Sequence, residues 1–212
     1  PDIIVNNRND LPGDFTTPEQ TIKAEEGGRA WESCMTLNDS WGYQKADDNW
    51  KTPRTVIRNL ITCARDGGNY LLNIGPQPDG SIPPESERIL REVGVWMQTG
   101  GATIYGAEPC KVARSNYANF TRLGNTLYMH VHFWPGTDVS ISGLKQKVLS
   151  AKVLKTGQSV NVSQDGFRTH ITGLPDKAPD SLVTTLVLEC DGEPVQDVIY
   201  VRTDKPRAGV GL

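Results

Sequence analysis

Arg8 and Glu19 are the residues near the start of the chain whose types could support acid–base chemistry. Arg8 ends the apolar run PDIIVNNR, and Glu19 follows it by eleven residues, inside the segment LPGDFTTPEQ. A positioned carboxyl group can donate and recover a proton. The segment is also rich in turn-forming residues, so a solvated surface loop would look the same. The local sequence leaves both interpretations of Glu19 open.

The cysteines and histidines give a weaker indication of chemistry. The four cysteines lie far apart, form no ligand spacing for zinc, and are interpreted as buried free thiols: Cys34, Cys63, Cys110 and Cys190. His130 and His132 are two residues apart in TLYMHVHFW, with no nearby carboxylate or cysteine to complete a metal site. We therefore interpret them as structural and expect no metal.

Composition excludes several classes of partner. The chain has 212 residues and a formal net charge of −3, which gives no basic field for nucleic acid or anionic lipid. No apolar run approaches the length of a membrane span. The segment DGGNYLLNIG is glycine-rich but lacks the lysine of a phosphate-binding loop, and its glycines precede the strand. We expect no cofactor, no nucleic-acid partner and no membrane partner.

The first 109 residues read as strands alternating with helices. DIIVNN and NYLLNIG are short apolar runs of the kind buried in a parallel sheet. A helix is predicted from Thr52 as N-cap through Pro53 to a stop at Gly67, and a second is predicted to be opened by Pro83 and Pro84 and closed by Gly100. This order is typical of parallel βα units, so we predict an α/β fold here. Because so few units cannot close a sheet alone, the segment is predicted to be the C-terminal part of a (β/α)8-type barrel.

From residue 110 onward the apolar pattern has a period of two. Five strand-bearing segments separated by turns predict an antiparallel β-sandwich over residues 110–212: NTLYMHVHF, VSISG, KVLSAKVLKTG, SVNVSQDGFRTHITGL and SLVTTLVLEC. The segment AEPCK is the predicted boundary between the two units, and the tail TDKPRAGVGL is predicted to be frayed.

Three segments together resemble a known family. WESCMTLNDSWGY, GGNYLLNIGPQPDGSIPP and GATIYGAEPCK, in this order, resemble the C-terminal part of the family-29 glycoside hydrolases, the retaining α-L-fucosidases. The resemblance extends over nearly the whole chain. It implies removal of terminal α-L-fucose from a fucosylated oligosaccharide or glycoconjugate, with a barrel aspartate as nucleophile and a loop glutamate as general acid/base.

The resemblance also assigns Glu19 a role. VNNR and TTPE match positions where related bacterial enzymes carry a basic residue and, about a dozen residues later, the acid/base glutamate. Glu19 is therefore predicted to be the general acid/base and Arg8 to lie beside it in the substrate-binding site. Glu25, Glu26 and Glu32 remain alternatives, although Glu32 is better explained as structural.

Retention needs two carboxyl groups about 5 to 5.5 Å apart, one attacking the anomeric carbon and the other donating a proton. The donor must begin protonated, whereas a guanidinium in contact favours the ionised form. We therefore expect Arg8 to be offset from the oxygens of Glu19 in the resting enzyme.

Trp41, in the segment SWGY, is predicted to bind substrate. Fucose is a 6-deoxy sugar, and the resemblance places an aromatic residue at this position in the wall that faces the methyl group. A scaffold role for Trp41 is the alternative. Trp31, Asn69 and Asn73 are predicted to be scaffold.

The nucleophile has no counterpart in this chain and is expected to precede Pro1, so the chain is expected to be a fragment or processed product of the enzyme. One alternative function is a non-catalytic carbohydrate-binding module with Tyr128, Phe133 and Trp134 as a stacking platform. Another is an exo-glycosidase acting on galactose. Fucosidases meet glycans outside the cytosol, so a periplasmic or secreted location is expected, or a lysosomal one in a eukaryote.

Overall fold

The computed structural model of the chain describes residues 3–9, 11–25, 27–113 and 115–197. Its first part is a three-stranded parallel sheet with two helices. The strands are β1 (Phe15–Thr16), β2 (Ala30–Thr36) and β3 (Asn69–Asn73), and the helices are α1 (Pro53–Arg65) and α2 (Pro84–Gly100). The sheet order is β1-β2-β3, and α1 connects β2 to its parallel neighbour β3. This confirms the predicted parallel βα arrangement.

The two helices begin and end where their local signals predict. Thr52 adopts an extended backbone and its hydroxyl accepts a hydrogen bond from the backbone N–H of Thr55, which caps α1. Gly67 follows with φ of 74°, a left-handed conformation that suits glycine. Pro83 precedes α2 as N-cap, and a short 3₁₀ turn continues from its last residue.

The predicted strand in DIIVNN is wrong for the part that the structure describes. Residues 3–5 are not in a strand, and Asn6 makes only one isolated parallel bridge, to Phe15. The side chains of Ile3 and Ile4 are 80% and 74% exposed. An apolar run forms a buried strand only where neighbouring elements pair with it along its length and cover it. In the described residues the pairing is confined to Val5 and Asn6, and nothing covers Ile3 and Ile4. The first strand of the sheet is therefore β1.

The second part of the chain is a seven-stranded antiparallel sheet. Its strands are β4 (Ala118–Leu123), β5 (Thr126–Val131), β6 (Asp138–Ser142), β7 (Val148–Val153), β8 (Ser159–Gln164), β9 (Arg168–Thr172) and β10 (Thr184–Cys190). The hydrogen-bonded order is β4-β5-β10-β7-β8-β9-β6. The predicted antiparallel architecture is confirmed, but the sequence reading missed β4.

The hairpin predicted at QDGF joins β8 to β9. The Asp165 carboxylate accepts hydrogen bonds from the backbone N–H groups of Phe167 and Arg168, at 2.9 and 2.7 Å. These bonds, with one from His170, lower the pKa of Asp165 to about 2.

The seven strands form one continuous sheet whose outer strands are brought together. The side-chain amide of Gln196 accepts from the backbone N–H of Ala113, just before β4, and donates to the carbonyl of Ser142 at the end of β6, both at 2.7 Å. The Tyr117 hydroxyl also donates to the Ser140 carbonyl at 2.7 Å. The sheet therefore curls around one apolar core, as the two layers of a β-sandwich do.

A second core lies between the helices and joins the two parts of the chain. It contains Leu37, Val56, Ile57, Ile61, Ile89, Val93, Trp96 and Val183. Val183 precedes β10, and its carbonyl accepts a hydrogen bond from the Trp96 indole at 2.9 Å. Asn119 on β4 donates to the Thr62 hydroxyl on α1 at 3.1 Å.

The histidines on and beside β5 are buried. His130 is 0% exposed, and its two ring nitrogens lie 2.8 and 3.0 Å from the hydroxyls of Thr121 and Thr185. Burial lowers the pKa of His130 to about 3 and that of His132 to about 4. The structural interpretation of His130 is confirmed by these bonds.

All four cysteines are free and buried, as predicted. Within the described ranges, no group of three or more His, Cys, Asp or Glu side chains is placed to hold a metal ion. In the same part of the chain, no helix combines the length and apolar character needed to cross a membrane. The predicted frayed tail, from Thr203 onward, lies outside the described residues.

Candidate active site

A cleft of about 440 Å³ brings the three predicted site residues together. Its lining is Asn6, Arg8, Thr17, Glu19, Glu32, Cys34, Trp41 and Leu71. Arg8, Glu19 and Trp41 lie on three separate segments of the sequence and meet only through the fold.

The alternation of side chains along β2 sets which residues face the cleft. Glu32 and Cys34 point to the cleft face, and Leu71 lies opposite Cys34 in the register of β2 and β3. Trp31 and Met35 occupy the other face, where the Trp31 indole reaches the Asp66 carbonyl at the end of α1. The cleft is thus on the face of the sheet opposite α1, and Trp31 is scaffold, as predicted.

The backbone around Glu19 is fixed to β2. The N–H of Cys34 donates to the Pro18 carbonyl, and the N–H of Gln20 donates to the Cys34 carbonyl, both at 2.9 Å. These two bonds flank Glu19, which forms an isolated parallel bridge with Cys34. A second pair of residues extends the attachment, since the Ser33 hydroxyl donates to the Thr21 carbonyl at 2.6 Å. Glu19 is therefore on a segment that the sheet holds in register.

Gln20 gives this segment its turn away from the sheet. Its φ of 52° is the one left-handed backbone among the non-glycine residues that the structure describes. The Gln20 amide donates to the Thr36 hydroxyl at 2.8 Å and accepts from the Thr36 N–H at 3.4 Å. Such backbone conformations cost about 1–3 kcal/mol and are concentrated at functional sites. The sequence gives no signal for this role of Gln20.

Arg8 is in direct contact with Glu19. One guanidinium nitrogen of Arg8 donates to a carboxylate oxygen of Glu19, forming an ion pair whose side chains are 44% and 46% exposed. The expectation that Arg8 is offset from these oxygens is therefore wrong for this structure. The reason is geometric, since the turn after Asn6 and the segment fixed to β2 direct both side chains into one cleft. An exposed pair of this kind contributes about 0–1 kcal/mol, so it can open at little cost.

Of the three alternative acids, the structure sets aside Glu25 and keeps Glu32. Glu25 is exposed and does not line the cleft, and Glu26 lies outside the described residues. Glu32 does line the cleft and is only half-buried, so it remains an alternative to Glu19.

Cys34 is a cleft residue that the sequence reading treated only as a buried thiol. Burial raises the pKa of the Cys34 thiol, and the nearby Arg8 guanidinium opposes part of that shift. A neutral thiol and the Leu71 side chain thus supply a less polar floor beside the Arg8–Glu19 pair.

The loop after β2 carries Trp41 to the rim of the cleft. The indole is 42% exposed, and the Trp41 carbonyl accepts a hydrogen bond from the Asn73 amide, at the end of β3, at 2.6 Å. Asp47 ties the base of the loop, because its carboxylate accepts from the Ser40 hydroxyl at 2.6 Å and the Asp39 N–H at 3.1 Å. The hydrogen bond from Ser40 is the main reason that the pKa of Asp47 is lowered. Asn73 acts as scaffold, as predicted.

The alternative stacking platform on the β-sheet lacks a free tryptophan ring. Trp134 packs against the apolar core, and its indole donates to the Pro175 carbonyl at 2.9 Å. Phe133 is covered by the Arg58 guanidinium, 5.5 Å from the ring centroid. The Trp134 ring is therefore committed to contacts within the chain, whereas Phe133 remains 54% exposed.

Comparison with known proteins gives one result throughout. The profile of the family described as Alpha-L-fucosidase matches residues 1–102. Tissue alpha-L-fucosidase of Mus musculus is 31% identical over 161 residues, which is 72% of this chain and 35% of that protein. The Bos taurus protein of the same name is 35% identical over 171 residues, covering 74% of this chain and 36% of that one. This chain thus spans about a third of the length of these curated relatives.

Solved structures agree. Alpha-L-fucosidase isoenzyme 1 from Paenibacillus thiaminolyticus is 34% identical with a TM-score of 0.78, covering 84% of this chain and 45% of that chain. A Bacteroides thetaiotaomicron alpha-L-fucosidase of family GH29 is 25% identical with a TM-score of 0.79. The match covers 91% of this chain and 50% of the Bacteroides chain. That structure is described as a covalent intermediate trapped with 2-fluoro-fucosyl fluoride in a glutamate-to-glutamine mutant.

Proposed function

Because this chain belongs to the α-L-fucosidase family, we propose that its protein is a retaining α-L-fucosidase that removes terminal α-L-fucose from glycans. The observation that carries the proposal is the convergence of Arg8, Glu19 and Trp41 on one cleft. The proposed substrate is a fucosylated oligosaccharide or glycoconjugate. The enzyme acts outside the cytosol, as a periplasmic, secreted or lysosomal protein.

The barrel assignment is part of the proposal. Residues 1–109 form the C-terminal portion of a (β/α)8-type catalytic barrel, and residues 110–212 form a β-sandwich domain. Parallel β2 and β3, with α1 between them, support this, as does the position of Trp41 in the loop after β2. In such barrels chemistry takes place in the loops that follow the strands.

In a double-displacement mechanism, Glu19 donates the proton of the first step and takes up the proton of the second. A carboxylate nucleophile attacks the anomeric carbon while Glu19 protonates the leaving oxygen, and a water deprotonated by Glu19 then cleaves the glycosyl-enzyme. The trapped intermediate of the Bacteroides relative supports the covalent step.

Proton donation requires the Arg8–Glu19 pair to open. Glu19 can accept a proton once Arg8 moves away, and the exposed position of the pair makes this movement inexpensive. Arg8 then remains in the cleft, where it can donate hydrogen bonds to substrate hydroxyls.

The proposal is tested by assaying an aryl α-L-fucoside with the protein that carries this chain and the nucleophile. We expect turnover with release of α-L-fucose as the first-formed anomer, detected by NMR. First-formed β-L-fucose would contradict retention, and absence of turnover would contradict the function. The matched α-L-galactoside, which adds one hydroxyl at C6, tests the galactose alternative and is expected to react more slowly.

Trp41 should determine the preference for a methyl group at C5 of the sugar. Replacing Trp41 with alanine removes apolar contact worth about 1–3 kcal/mol, so kcat/KM for the fucoside should fall about 5- to 150-fold and the fucoside-to-galactoside ratio should narrow. The control is the Tyr43→Ala variant, assayed with both substrates, because Tyr43 is an exposed aromatic residue on the same loop and does not line the cleft. An unchanged ratio in Trp41→Ala would place this ring in the scaffold.

A further inference from the structure

A second cleft lies on the β-sheet domain, between residues 143–147 and the hairpin that joins β8 to β9. Its volume is about 690 Å³. Three cationic side chains line it, from Lys145, Lys147 and Arg168, and one acidic side chain, from Asp197. A chain with a net charge of −3 thus concentrates positive charge in one depression.

The three cations have no carboxylate partner within the described ranges. No ion pair there involves the ammonium groups of Lys145 and Lys147 or the guanidinium of Arg168, whereas Lys155 on the same domain is paired with Asp180 at 3.1 Å. Arg168 is instead held over the ring of Phe167, with 5.3 Å between its guanidinium carbon and the ring centroid. Stacking restricts its motion while leaving its N–H donors for an acceptor.

The walls of this cleft are fixed by amide side chains. Gln164 accepts from the Val148 N–H at 2.8 Å and donates to the Gln146 carbonyl and the Thr169 hydroxyl, both at 3.0 Å. Gln146 in turn accepts from the Val195 N–H at 2.7 Å. The depression is therefore preformed, which reduces the entropy lost when a ligand binds.

Arg168 also lines a neighbouring cleft of about 450 Å³. There the cross-strand pairs of β6 and β9 present hydroxyl, imidazole and carboxylate groups, from Ser140 opposite His170 and Asp138 opposite Thr172. Such groups exchange hydrogen bonds with the hydroxyls of a sugar. The two clefts share Arg168, with the lysines in one cleft and the hydroxyl-binding groups in the other, and the pair is called the polar groove.

We propose that this groove binds an acidic saccharide, with a sulfate ester or carboxylate of the sugar on Lys145, Lys147 and Arg168. The guanidinium fork and two ammonium groups suit an oxyanion, and the adjoining β6–β9 face suits the hydroxyls of the same chain of sugars. Binding here is separate from the proposed hydrolysis of fucosides and does not depend on it.

The test is calorimetric titration of the protein with a sulfated carrageenan hexasaccharide, which has sulfate esters and no carboxylate, an oligogalacturonate and a neutral chitin oligosaccharide of similar length. We expect the two acidic probes to bind, more weakly as salt increases, and the neutral probe to bind at least tenfold more weakly. Tighter binding of the sulfated probe identifies a sulfate ester as the preferred group, and tighter binding of the galacturonate identifies a carboxylate.

The double variant Lys145→Ala/Lys147→Ala should weaken acidic binding at least tenfold. The matched control is Lys152→Ala, because Lys152 is an exposed lysine on β7 outside both clefts. This variant should bind the acidic probes as tightly as the unaltered protein does. Both lysine side chains are exposed, so the double variant should keep its unfolding midpoint, and Lys145→Gln/Lys147→Gln gives a second version that preserves their length. Three results would overturn the proposal. The Lys152→Ala control could lose as much affinity for the acidic probes as the double variant does. The neutral probe, or inorganic sulfate alone, could bind as tightly as the acidic saccharides do. A single-stranded oligonucleotide that binds as tightly as the saccharides would also overturn it.

Discussion

Glu19→Ala is expected to slow hydrolysis of natural α-L-fucosides by about 10²- to 10⁴-fold, the usual contribution of a positioned general acid/base. The leaving oxygen of a natural glycan needs a proton, and Glu19 is the carboxyl group that the sheet holds in the cleft beside Arg8. An aryl fucoside with a good leaving group does not need that proton, so its first step should stay fast. The deficit should then appear as slow breakdown of the fucosyl-enzyme.

Azide separates this explanation from a structural defect. It attacks the fucosyl-enzyme without help from a base, so it should restore turnover of the aryl substrate and yield fucosyl azide. Glu25→Ala, which removes an exposed carboxylate outside the cleft lining, should keep full activity. If Glu19→Ala retains full activity on a natural glycan, Glu19 is not the acid. The same assay on Glu32→Ala would then test the other carboxylate of the cleft.

Lowering the pH from 7 to 5 is expected to destabilise the folded chain by several kcal/mol through its buried histidines. Burial holds the pKa of His130 at about 3 and that of His132 at about 4, whereas an exposed histidine titrates near 6.5. Well above pH 6.5 both the folded and the unfolded forms are neutral, so these residues cause no pH dependence there. As the pH falls below 6.5 the unfolded chain binds protons first, and stability is lost at about 1.4 kcal/mol per pH unit for each histidine.

Urea unfolding at pH 7, 6 and 5 measures this loss as a fall in the free energy of unfolding. The interval lies above the ordinary range of aspartate and glutamate, so carboxylate protonation contributes little. His130→Gln retains hydrogen-bonding groups for Thr121 and Thr185 and should reduce the pH dependence by about half. The control is His170→Gln, which replaces a half-buried histidine outside the core and should leave the pH dependence of the free energy of unfolding unchanged. A free energy of unfolding that is flat from pH 7 to 5 would show that His130 and His132 do not carry this linkage.

Local signals were sufficient for several elements. The cap at Thr52, the proline that begins α1 and the glycine after it fix that helix within a few residues of sequence. The QDGF hairpin and the period-two strands are equally local, because turn chemistry and side-chain alternation act between near neighbours. The motif spacing that indicated the family also predicted Arg8, Glu19 and Trp41 as residues of one site.

Contacts between distant segments decided the rest. DIIVNN has the composition of a buried strand, yet no element in the described residues covers Ile3 and Ile4. The curl of the seven-stranded sheet is closed by Gln196, which joins the segment before β4 to the end of β6, and no local pattern encodes this contact.

The sequence was enough to predict which residues belong to the site, whereas the contacts that each of them makes depend on the tertiary structure. The direct contact of Arg8 with Glu19, the left-handed backbone of Gln20 and the place of Cys34 in the cleft all follow from hydrogen bonds between the Glu19 segment and β2. Side-chain direction is set by strand register, and register depends on pairing between segments far apart in the chain, so single residues and their neighbours do not specify it.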